Sequence, residues 1–339
     1  MNLIDNKTIL VTGGTGTFGN AFTHYIFEHY NPKKLIIFSR DEYKQYQMAK
    51  RYSMTDYNIR YFVGDIRNKD RLHRAFRDVD YVIHAAALKQ VPACEYNPFE
   101  AVRTNVLGAQ NIIDAAIERG VKKVISISTD KAVNPINLYG STKMVMEKLM
   151  VAGNYYVGGR ETVFSAVRYG NVVGSRGSVI PLFQKMKKEG RKKLPITDEK
   201  MTRFWIPIED GVKLVINALE EAVGGETFIP KIPSMKITDL ARAIVPDCEF
   251  ETIGIRPGEK LHETLISQEE GEKIYQMEKN GQEIFVIIPH FSDLNGRYNK
   301  YMKLKEMPKD FAYLSSTNEE WLSVKDINEM IAKKGLDQA

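Results

Sequence analysis

Short apolar runs that are rich in β-branched residues alternate with longer amphipathic stretches through the first half of the chain. Six of these runs predict strands, at residues 7–12, 34–38, 60–63, 80–84, 124–127 and 162–168. Residues 101–119 and the segment after Asn137 have the pattern of helices. Strands that alternate with helices in this way are typical of a parallel sheet covered on both faces. The pattern therefore predicts an α/β fold with a doubly wound parallel sheet.

The pattern changes after residue 169. Residues 170–181 are glycine-rich and irregular, residues 194–208 carry prolines and aromatics, and residues 256–262 form another loop, although a further strand is predicted at 226–229. We therefore expect residues 1–169 to form the sheet domain, completed by later strands. Residues 170–289 are predicted to form a smaller substrate-binding domain interleaved with the sheet, and residues 290–339 a C-terminal extension.

Three glycines follow the first predicted strand and open a helix. Gly13, Gly16 and Gly19 are spaced G-x-x-G-x-x-G. In this context glycines allow a tight turn, close approach of a pyrophosphate to a helix amino terminus, and close packing of helix on strand. The sequence therefore predicts a Rossmann-type site for a dinucleotide cofactor.

The end of the second strand indicates which dinucleotide. Ser39 and Arg40 stand where an NAD-binding protein usually places an acidic residue for the ribose hydroxyls. With Lys44 one turn later, they suit a 2′-phosphate, so NADP is favoured over NAD. Asp41 is predicted to start the following helix, because acidic residues favour the first turn.

The next two strands end in further candidate cofactor contacts. Asp65 is either a partner for the adenine amino group or a helix cap. Ala85 and Ala86 leave room for the cofactor, and Lys89 follows close to the crevice. Thr104 is either a residue on the cofactor side or an ordinary packing residue of its helix, and so is Asn105.

The segment around residue 130 carries the candidate chemistry. Tyr139 and Lys143 are one helical turn apart. A lysine ammonium favours the phenolate of a nearby tyrosine, so the pair can accept a proton from a substrate hydroxyl. Asp130 and Lys131 follow the fifth strand, which delivers them to the same edge of the sheet. Alone, the Y-x-x-x-K spacing is weak evidence and an ordinary amphipathic helix face would be the better interpretation, but here it does not stand alone.

Composition and charge limit the kinds of site, partner and cellular location that we expect. The chain has 339 residues, a net charge of +5 and two cysteines without metal-ligand spacing, so neither a disulfide framework nor a metal site is expected. The basic run at residues 185–193 lacks interleaved aromatics and reads as a solvated helix end, not a nucleic-acid site. Without a signal peptide or a membrane-length apolar run, a cytoplasmic protein is expected. The positive balance suits a phosphorylated substrate.

Several motifs together resemble a known family. TGGTGTFG at 12–19, GD at 64–65, AAA at 85–87 and YGSTK at 139–143 are similar to the extended short-chain dehydrogenase/reductases. Within that family, five longer stretches resemble the UDP-N-acetylglucosamine 4,6-dehydratases that invert C5 and start the pathway to pseudaminic acid: 128–143, 168–179, 196–205, 229–236 and 255–263. The similarity covers at least residues 4–289. Longer membrane-anchored relatives that retain C5 have methionine in place of Tyr139, which favours the inverting group.

The resemblance implies a role for each matching residue. Tyr139, assisted by Lys143, removes the C4 hydroxyl proton while Thr129 positions that hydroxyl. Lys131 is the base at C5, and Asp130 is the acid that protonates the departing C6 hydroxyl. We expect crowding by Lys143 and desolvation to lower the pKa of Lys131, and an apolar crevice to raise the pKa of Asp130.

The resemblance also implies binding residues and no metal. The predicted NADP contacts are Gly13, Thr15, Gly16, Thr17, Phe18, Gly19, Ser39, Arg40, Lys44, Asp65, Ile66, Ala85, Ala86, Lys89, Thr104, Tyr139 and Lys143. The predicted contacts to UDP-N-acetylglucosamine are Lys89, Asn171, Val179, Thr197, Arg203, Arg256 and Glu259. A salt bridge between Arg256 and Glu259 is the alternative for that pair.

The sequence also raises three alternative functions and a question about the oligomeric state. The alternatives are a C5-retaining dehydratase, a UDP-sugar 4-epimerase, which has no use for Asp130 and Lys131, and a non-enzymatic NADP sensor, which would lack Tyr139. The family implies a closed homo-oligomer, a dimer or hexamer. The apolar helix at 102–117 either pairs with a second copy or packs against the sheet.

Overall fold

The computed structural model describes residues 3–174, 179–270, 273–289 and 296–333. Its strands are β1 (Thr8–Thr12), β2 (Lys34–Ser39), β3 (Ile59–Val63), β4 (Tyr81–His84), β5 (Lys123–Thr129), β6 (Val163–Tyr169), β7 (Asn171–Val172), β8 (Lys193–Ile196), β9 (Thr202–Ile206), β10 (Thr227–Pro230), β11 (Ser234–Lys236), β12 (Glu249–Thr252), β13 (Thr264–Ile266), β14 (Ile274–Lys279), β15 (Gln282–Ile287), β16 (Lys305–Glu306) and β17 (Tyr313–Leu314). Its α-helices are α1 (Thr17–His29), α2 (Glu42–Ala49), α3 (Lys69–Ala75), α4 (Val91–Tyr96), α5 (Pro98–Val102), α6 (Gly108–Arg119), α7 (Leu138–Tyr156), α8 (Val179–Lys188), α9 (Ile208–Glu221), α10 (Ile237–Ile244) and α11 (Val324–Lys333).

One large sheet carries most of the strands. Its order is β16-β14-β15-β10-β6-β5-β4-β1-β2-β3. The seven strands from β3 to β10 in this order are parallel, and β15, β14 and β16 extend the sheet antiparallel. The order reverses between β1 and β4, and this switch point is where open α/β sheets bind ligands. The predicted doubly wound parallel sheet is confirmed, and each predicted strand overlaps an observed one.

Apolar residues cover both faces of this sheet. On one face, α1 and α9 pack over residues such as Ile9, Ile37 and Ile83. On the other face, α3, α6 and α7 pack over residues such as Leu10 and Val124. Burial on both faces explains why these strands read as continuous apolar runs and not as alternating ones.

Residues after β6 form a second core beside the carboxyl ends of the strands. Small sheets β11-β9-β7, β12-β8 and β13-β17 lie here. Helices α8, α10 and α11 share one hydrophobic cluster, in which Phe183, Leu240 and Ile327 are fully buried. Residues 290–295 and 334–339 of the predicted extension lie outside the described residues, as do residues 175–178.

The helix predicted at 101–119 is present with an internal irregularity. Helices α5 and α6 are joined by a π-helical turn at Arg103–Leu107. Ile112, Ile113 and Ala116 are fully buried on the sheet side, so that apolar face is covered within the chain. None of the helices in the described ranges combines the length and apolar composition that a bilayer span requires.

Candidate active site at the carboxyl edge of the sheet

The glycine-rich turn lies between β1 and α1, beside the switch point. Gly13 has a φ of 65°, and a Cβ there would stand 2.9 Å from the backbone of Ala86. A Cβ on Gly19 would stand 2.2 Å from the carbonyl oxygen of Gly14. No side chain caps the amino terminus of α1, which leaves its first N–H groups available for an anion. Thr15, Gly16 and Thr17 complete the turn, whereas Phe18 stacks on Phe22 at 5.8 Å.

The end of β2 is basic, as the sequence predicts. Arg40 is exposed, and Ser39 is buried with its hydroxyl accepting from Gln45 Nε2 at 3.0 Å. Asp41 caps α2 by accepting from the Lys44 N–H at 2.9 Å, which confirms that it starts the helix. Its carboxylate also pairs with Lys44 Nζ at 2.7 Å. A cavity of about 380 Å³ next to this segment is lined in part by Thr15 and Lys44.

Asp65 does not cap a helix. Asn68 caps α3, because its side chain accepts from the Arg71 N–H. Asp65 instead accepts from Arg67 Nε at 2.9 Å and Nη2 at 2.7 Å, and it lies 3.8 Å from Arg40. Burial acts to raise the pKa of Asp65, but the two guanidinium groups outweigh it and lower the pKa. The helix-cap alternative is therefore wrong, and the role at adenine stays a prediction. The adjacent Ile66 is buried and packs against Gly108.

Two further segments approach the switch point. Ala85 and Ala86 follow β4, and their N–H groups contact Thr12 Oγ1 at 3.2 and 3.3 Å. Asn105 in the π-helical turn bonds both the N–H and the carbonyl of Leu88 and also Thr142 Oγ1, so it fixes this loop against α7. Of the two possibilities for Asn105, these bonds support a packing residue of its helix. The Oγ1 of Thr104 is buried without a hydrogen-bond partner among the described residues, and Lys89 is exposed.

Tyr139 and Lys143 lie in the first two turns of α7. Asn137 caps this helix by accepting from the Gly140 N–H at 2.8 Å. Burial raises the pKa of Tyr139 to about 12, although the Lys131 ammonium and a hydrogen bond with Thr129 act to lower it. Burial also lowers the pKa of Lys143 to about 8. The Nζ of Lys143 lies 3.2 Å from Met146 Sδ, and its assistance to the Tyr139 phenol stays a prediction.

Asp130 and Lys131 occupy a short 3₁₀ turn directly after β5. Asp130 is fully buried, and its Oδ1 accepts from Thr129 Oγ1 at 2.8 Å and Lys131 Nζ at 3.0 Å. Its Oδ2 is buried without a partner among the described residues. Burial raises the pKa of Asp130, and the charge of Glu263 adds to that effect, so the expected direction is confirmed. A carboxyl group with a raised pKa suits a general acid.

The expectation for Lys131 is wrong in sign. Burial alone would lower its pKa, but the carboxylates of Asp130 at 3.0 Å and Glu263 at 3.3 Å together outweigh burial and raise it. Glu263 was missed because it lies 132 residues further along the chain, at the start of β13, and nothing in the local pattern links it to Lys131. Lys131, Arg203 and Lys260 hold the pKa of Glu263 low against the effect of burial.

The predicted substrate residues fall into two groups. Thr197, Arg203 and Glu259 form one polar cluster, in which Glu259 lies 3.3 Å from Thr197 Oγ1 and 3.4 Å from Arg203 Nη2. Arg203 Nε lies 3.6 Å from Glu263, so this cluster is continuous with Lys131. Asn171 Oδ1 lies 3.5 Å from Lys131 Nζ.

Besides Lys89, which is described above, two predicted substrate residues remain. Arg256 is exposed, and no ion pair joins it to Glu259 among the described residues, so the salt-bridge alternative is wrong. Val179 begins α8 and is partly buried. His84 and His262 are structural, as expected, because each hydrogen-bonds a threonine hydroxyl at 2.8 Å. His290 lies outside the described residues.

Comparison with known proteins identifies the family. A family model described as polysaccharide biosynthesis protein matches residues 9–284. The chain belongs to this family. It is 52% identical over 337 residues to the UDP-N-acetylglucosamine 4,6-dehydratase (inverting) of Campylobacter jejuni subsp. jejuni serotype O:2, covering 97% of this chain and 98% of the relative. The predicted membership of the extended short-chain dehydrogenase/reductases is thereby confirmed.

Two further likenesses add context. The chain is 43% identical to the UDP-glucose 4-epimerase of Rickettsia conorii, covering 96% of this chain and 95% of the relative. The X-ray structure of Pen from Bacillus thuringiensis superposes with a TM-score of 0.88 at 39% identity, covering 98% of this chain and 99% of that one.

Proposed function

We propose that the protein is an NADP-dependent UDP-N-acetylglucosamine 4,6-dehydratase that inverts C5. The observation that carries this proposal is that two proton-transfer pairs, Tyr139 with Lys143 and Asp130 with Lys131, meet at one edge of the sheet beside a glycine-rich turn. The relatives with this name are 50% and 52% identical over nearly the whole chain. An epimerase needs only the first pair.

The residues at the β1–α1 turn fit a dinucleotide. The close approach of Gly13 to Ala86 leaves a cradle that a Cβ would fill, and the uncapped α1 suits a pyrophosphate. Arg40 and Lys44 would hold a 2′-phosphate, and no acid occupies the end of β2 to repel it. Bound there, the nicotinamide supplies a hydride acceptor for C4 and a hydride donor for C6.

The first half of the chemistry falls to α7. Tyr139 takes the proton of the C4 hydroxyl as that carbon is oxidised, with Thr129 positioning the hydroxyl. Because burial raises the pKa of Tyr139 to about 12, its phenolate is hard to form, and the Lys131 ammonium, which acts to lower that pKa, favours the phenolate that accepts the proton. The resulting C4 ketone acidifies the proton at C5.

The second half falls to the turn after β5. Lys131 first releases its own proton to solvent, and the neutral amine then removes the C5 proton. Asp130, whose pKa is raised by burial, donates its proton to the departing C6 hydroxyl, which leaves as water. The C5 carbon is then reprotonated on its other face. During this proton exchange Glu263 pairs with Lys131, and Arg203 in turn pairs with Glu263.

The polar cluster beside Lys131 suits the UDP group. Arg203 has a planar fork of N–H donors that matches phosphate oxygens, and it is held in place by the carbonyls of Thr202 and Leu261. When a diphosphate binds, Arg203 would either break its ion pair with Glu259 or contact both the carboxylate and the phosphate.

Mass spectrometry of the product tests the proposed reaction. Incubation with UDP-N-acetylglucosamine and NADP⁺ should give a nucleotide sugar that has lost one water. An isomer of unchanged mass would support the 4-epimerase instead, and unreacted substrate in the presence of NADP⁺ and NAD⁺ would contradict both enzymes.

A further inference from the structure

A basic groove lies at the amino-terminal edge of the main sheet, away from the candidate active site. Thr8 and Lys34 are the first residues of β1 and β2, and both line a cavity of about 640 Å³. The glycine-rich turn follows the other end of β1, about 13 Å away along a five-residue strand. The groove is therefore separate from the site built around Tyr139 and Lys131.

The groove has an apolar floor and a helical wall. Ile36 of β2 and Phe62 of β3 are almost fully buried and form the floor. Helix α3 forms one wall with Arg71, Arg74 and Ala75, and the turn after α3 closes one end. This volume falls within the roughly 300–1,000 Å³ of ordinary small-molecule pockets.

Cations dominate the lining. Asp78 is the one carboxylate that lines the cavity. The six basic side chains that line it come from four different segments: Lys33, Lys34, Arg60, Arg71, Arg74 and Arg77. Within the described ranges, none of the six makes an ion pair with a carboxylate, and Arg71 donates its Nε to the backbone carbonyl of Val63 at 2.8 Å. Elsewhere in the chain, comparable cations such as Arg67 and Arg168 are paired. The groove therefore holds an uncompensated concentration of positive charge, which an anion would relieve.

Two guanidinium groups are held over the floor. Arg71 lies 4.0 Å and Arg60 lies 5.1 Å from the centroid of the Phe62 ring. Such stacking keeps a guanidinium plane oriented while its N–H donors remain available for phosphate oxygens. Cations stand on both sides of the floor, on α3 and on β3, and a ligand with two phosphate groups offers acceptor oxygens to both sides.

We propose that this groove binds a small anion with two adjacent phosphate groups, either free or as the diphosphate of a nucleotide. The site is distinct from the crevice that would hold the cofactor and the UDP-sugar, and it does not depend on the proposed reaction. It would be a second ligand site on the same sheet, at the amino-terminal ends of β1 and β2.

Calorimetric titration of the full chain with pyrophosphate tests the proposal. The groove variant is the double substitution Arg74→Glu and Arg77→Glu, at two exposed positions. The matched control is Lys187→Glu and Lys188→Glu, two exposed positions in α8 that change the net charge equally. Circular dichroism should show all three proteins folded. If pyrophosphate also enters the crevice, that site is common to all three.

The groove variant should bind pyrophosphate at least about tenfold more weakly than the other two proteins, or lose one of two sites. The proposal is overturned if the wild type shows no binding, if the groove variant binds normally, or if the control loses affinity to the same extent. A parallel titration with UDP separates the two sources. One UDP site lost only in the groove variant indicates a nucleotide, and identical UDP titrations indicate a free polyphosphate.

Discussion

Lys131 has to satisfy two opposite conditions. Asp130 and Glu263 raise its pKa against the effect of burial and so favour the ammonium form, whereas the proposed role at C5 requires the neutral amine. The charged and titratable groups around it are Asp130, Glu263, Arg203, Lys260 and Tyr139. Burial raises the pKa of Asp130, whereas Lys131, Arg203 and Lys260 lower the pKa of Glu263 against the effect of burial.

Substituting Glu263 should therefore move the pH dependence of the C5 step. Its rate rises as Lys131 loses its proton, and removing a negative charge 3.3 Å away lowers the pKa of the lysine. In Glu263→Gln, the midpoint for solvent deuterium entry at C5 should fall by about one pH unit or more. Glu259→Gln is the matched control, because Glu259 contacts Arg203 and not Lys131. An unchanged midpoint in Glu263→Gln would mean that its role is purely structural.

Arg40 is the residue that should decide cofactor preference. It is exposed at the end of β2, where it can reach a 2′-phosphate. Arg40→Asp should weaken NADP⁺ binding at least about tenfold and strengthen NAD⁺ binding, because an aspartate repels the phosphate and accepts from ribose hydroxyls. Fluorescence titration with both nucleotides measures the change. Lys50→Asp, an equal change in charge at the end of α2, should leave the preference as it is, and tighter NAD⁺ than NADP⁺ binding by the wild type would refute the assignment.

At the scale of elements, a buried ion-pair network anchors α7 beside the sheet. Arg168 of β6 is 3% exposed and pairs with Glu147 of α7 at 2.6 Å and with Glu270 at 2.8 Å. It also donates to the carbonyl of Leu265 at 2.8 Å. The helix that carries Tyr139 is thus tied both to β6 and to the segment that follows β13.

Breaking this network should destabilise the fold strongly. Arg168→Ala leaves the Glu147 carboxylate buried without its partner, which typically costs about 3–5 kcal/mol. The free energy of unfolding from urea denaturation should fall by that amount. The control Lys325→Ala removes an exposed helical pair with Glu329 and should leave stability nearly unchanged. Equal stability of both variants would show that the network contributes little.

The local elements were readable from sequence because each depends on nearby residues. β-branched runs predict β1 to β6, and Asp41 and Asn137 occupy cap positions in the observed helices. The glycine spacing likewise predicts one local turn. The close approach of that turn to Ala86 involves one other segment, the residues that follow β4.

Long-range contacts account for what the sequence did not reveal. The π-helical turn at 103–107 carries Asn105, whose bonds to Leu88 and Thr142 are long-range contacts that helical periodicity does not encode. Glu263 reaches Lys131 only because β13 is placed beside the turn after β5. The raised pKa of Lys131 therefore has one local cause, Asp130, and one long-range cause, Glu263.

At the scale of the whole molecule, we expect a homo-oligomer of at least two chains. The face of α6 that carries Ile112 and Ile113 is covered internally, so a partner would have to use other apolar residues. Tyr96, Phe99 and Leu107 are 87%, 66% and 49% exposed on neighbouring segments. Light scattering at micromolar concentration should give at least twice the 38.7 kDa chain mass. A monomeric mass would refute this expectation.

The central claim is that Lys131 removes the C5 proton during an inverting dehydration. NMR of the product formed from UDP-N-acetylglucosamine in D₂O tests it most directly, with wild type and Lys131→Ala compared. The wild type should give a 6-deoxy-4-keto sugar with deuterium at C5 and inverted configuration there. Lys131→Ala should still oxidise C4 but incorporate deuterium at C5 about 10²- to 10⁴-fold more slowly. Retained configuration in the wild-type product, or near-normal deuterium entry in Lys131→Ala, would contradict the account.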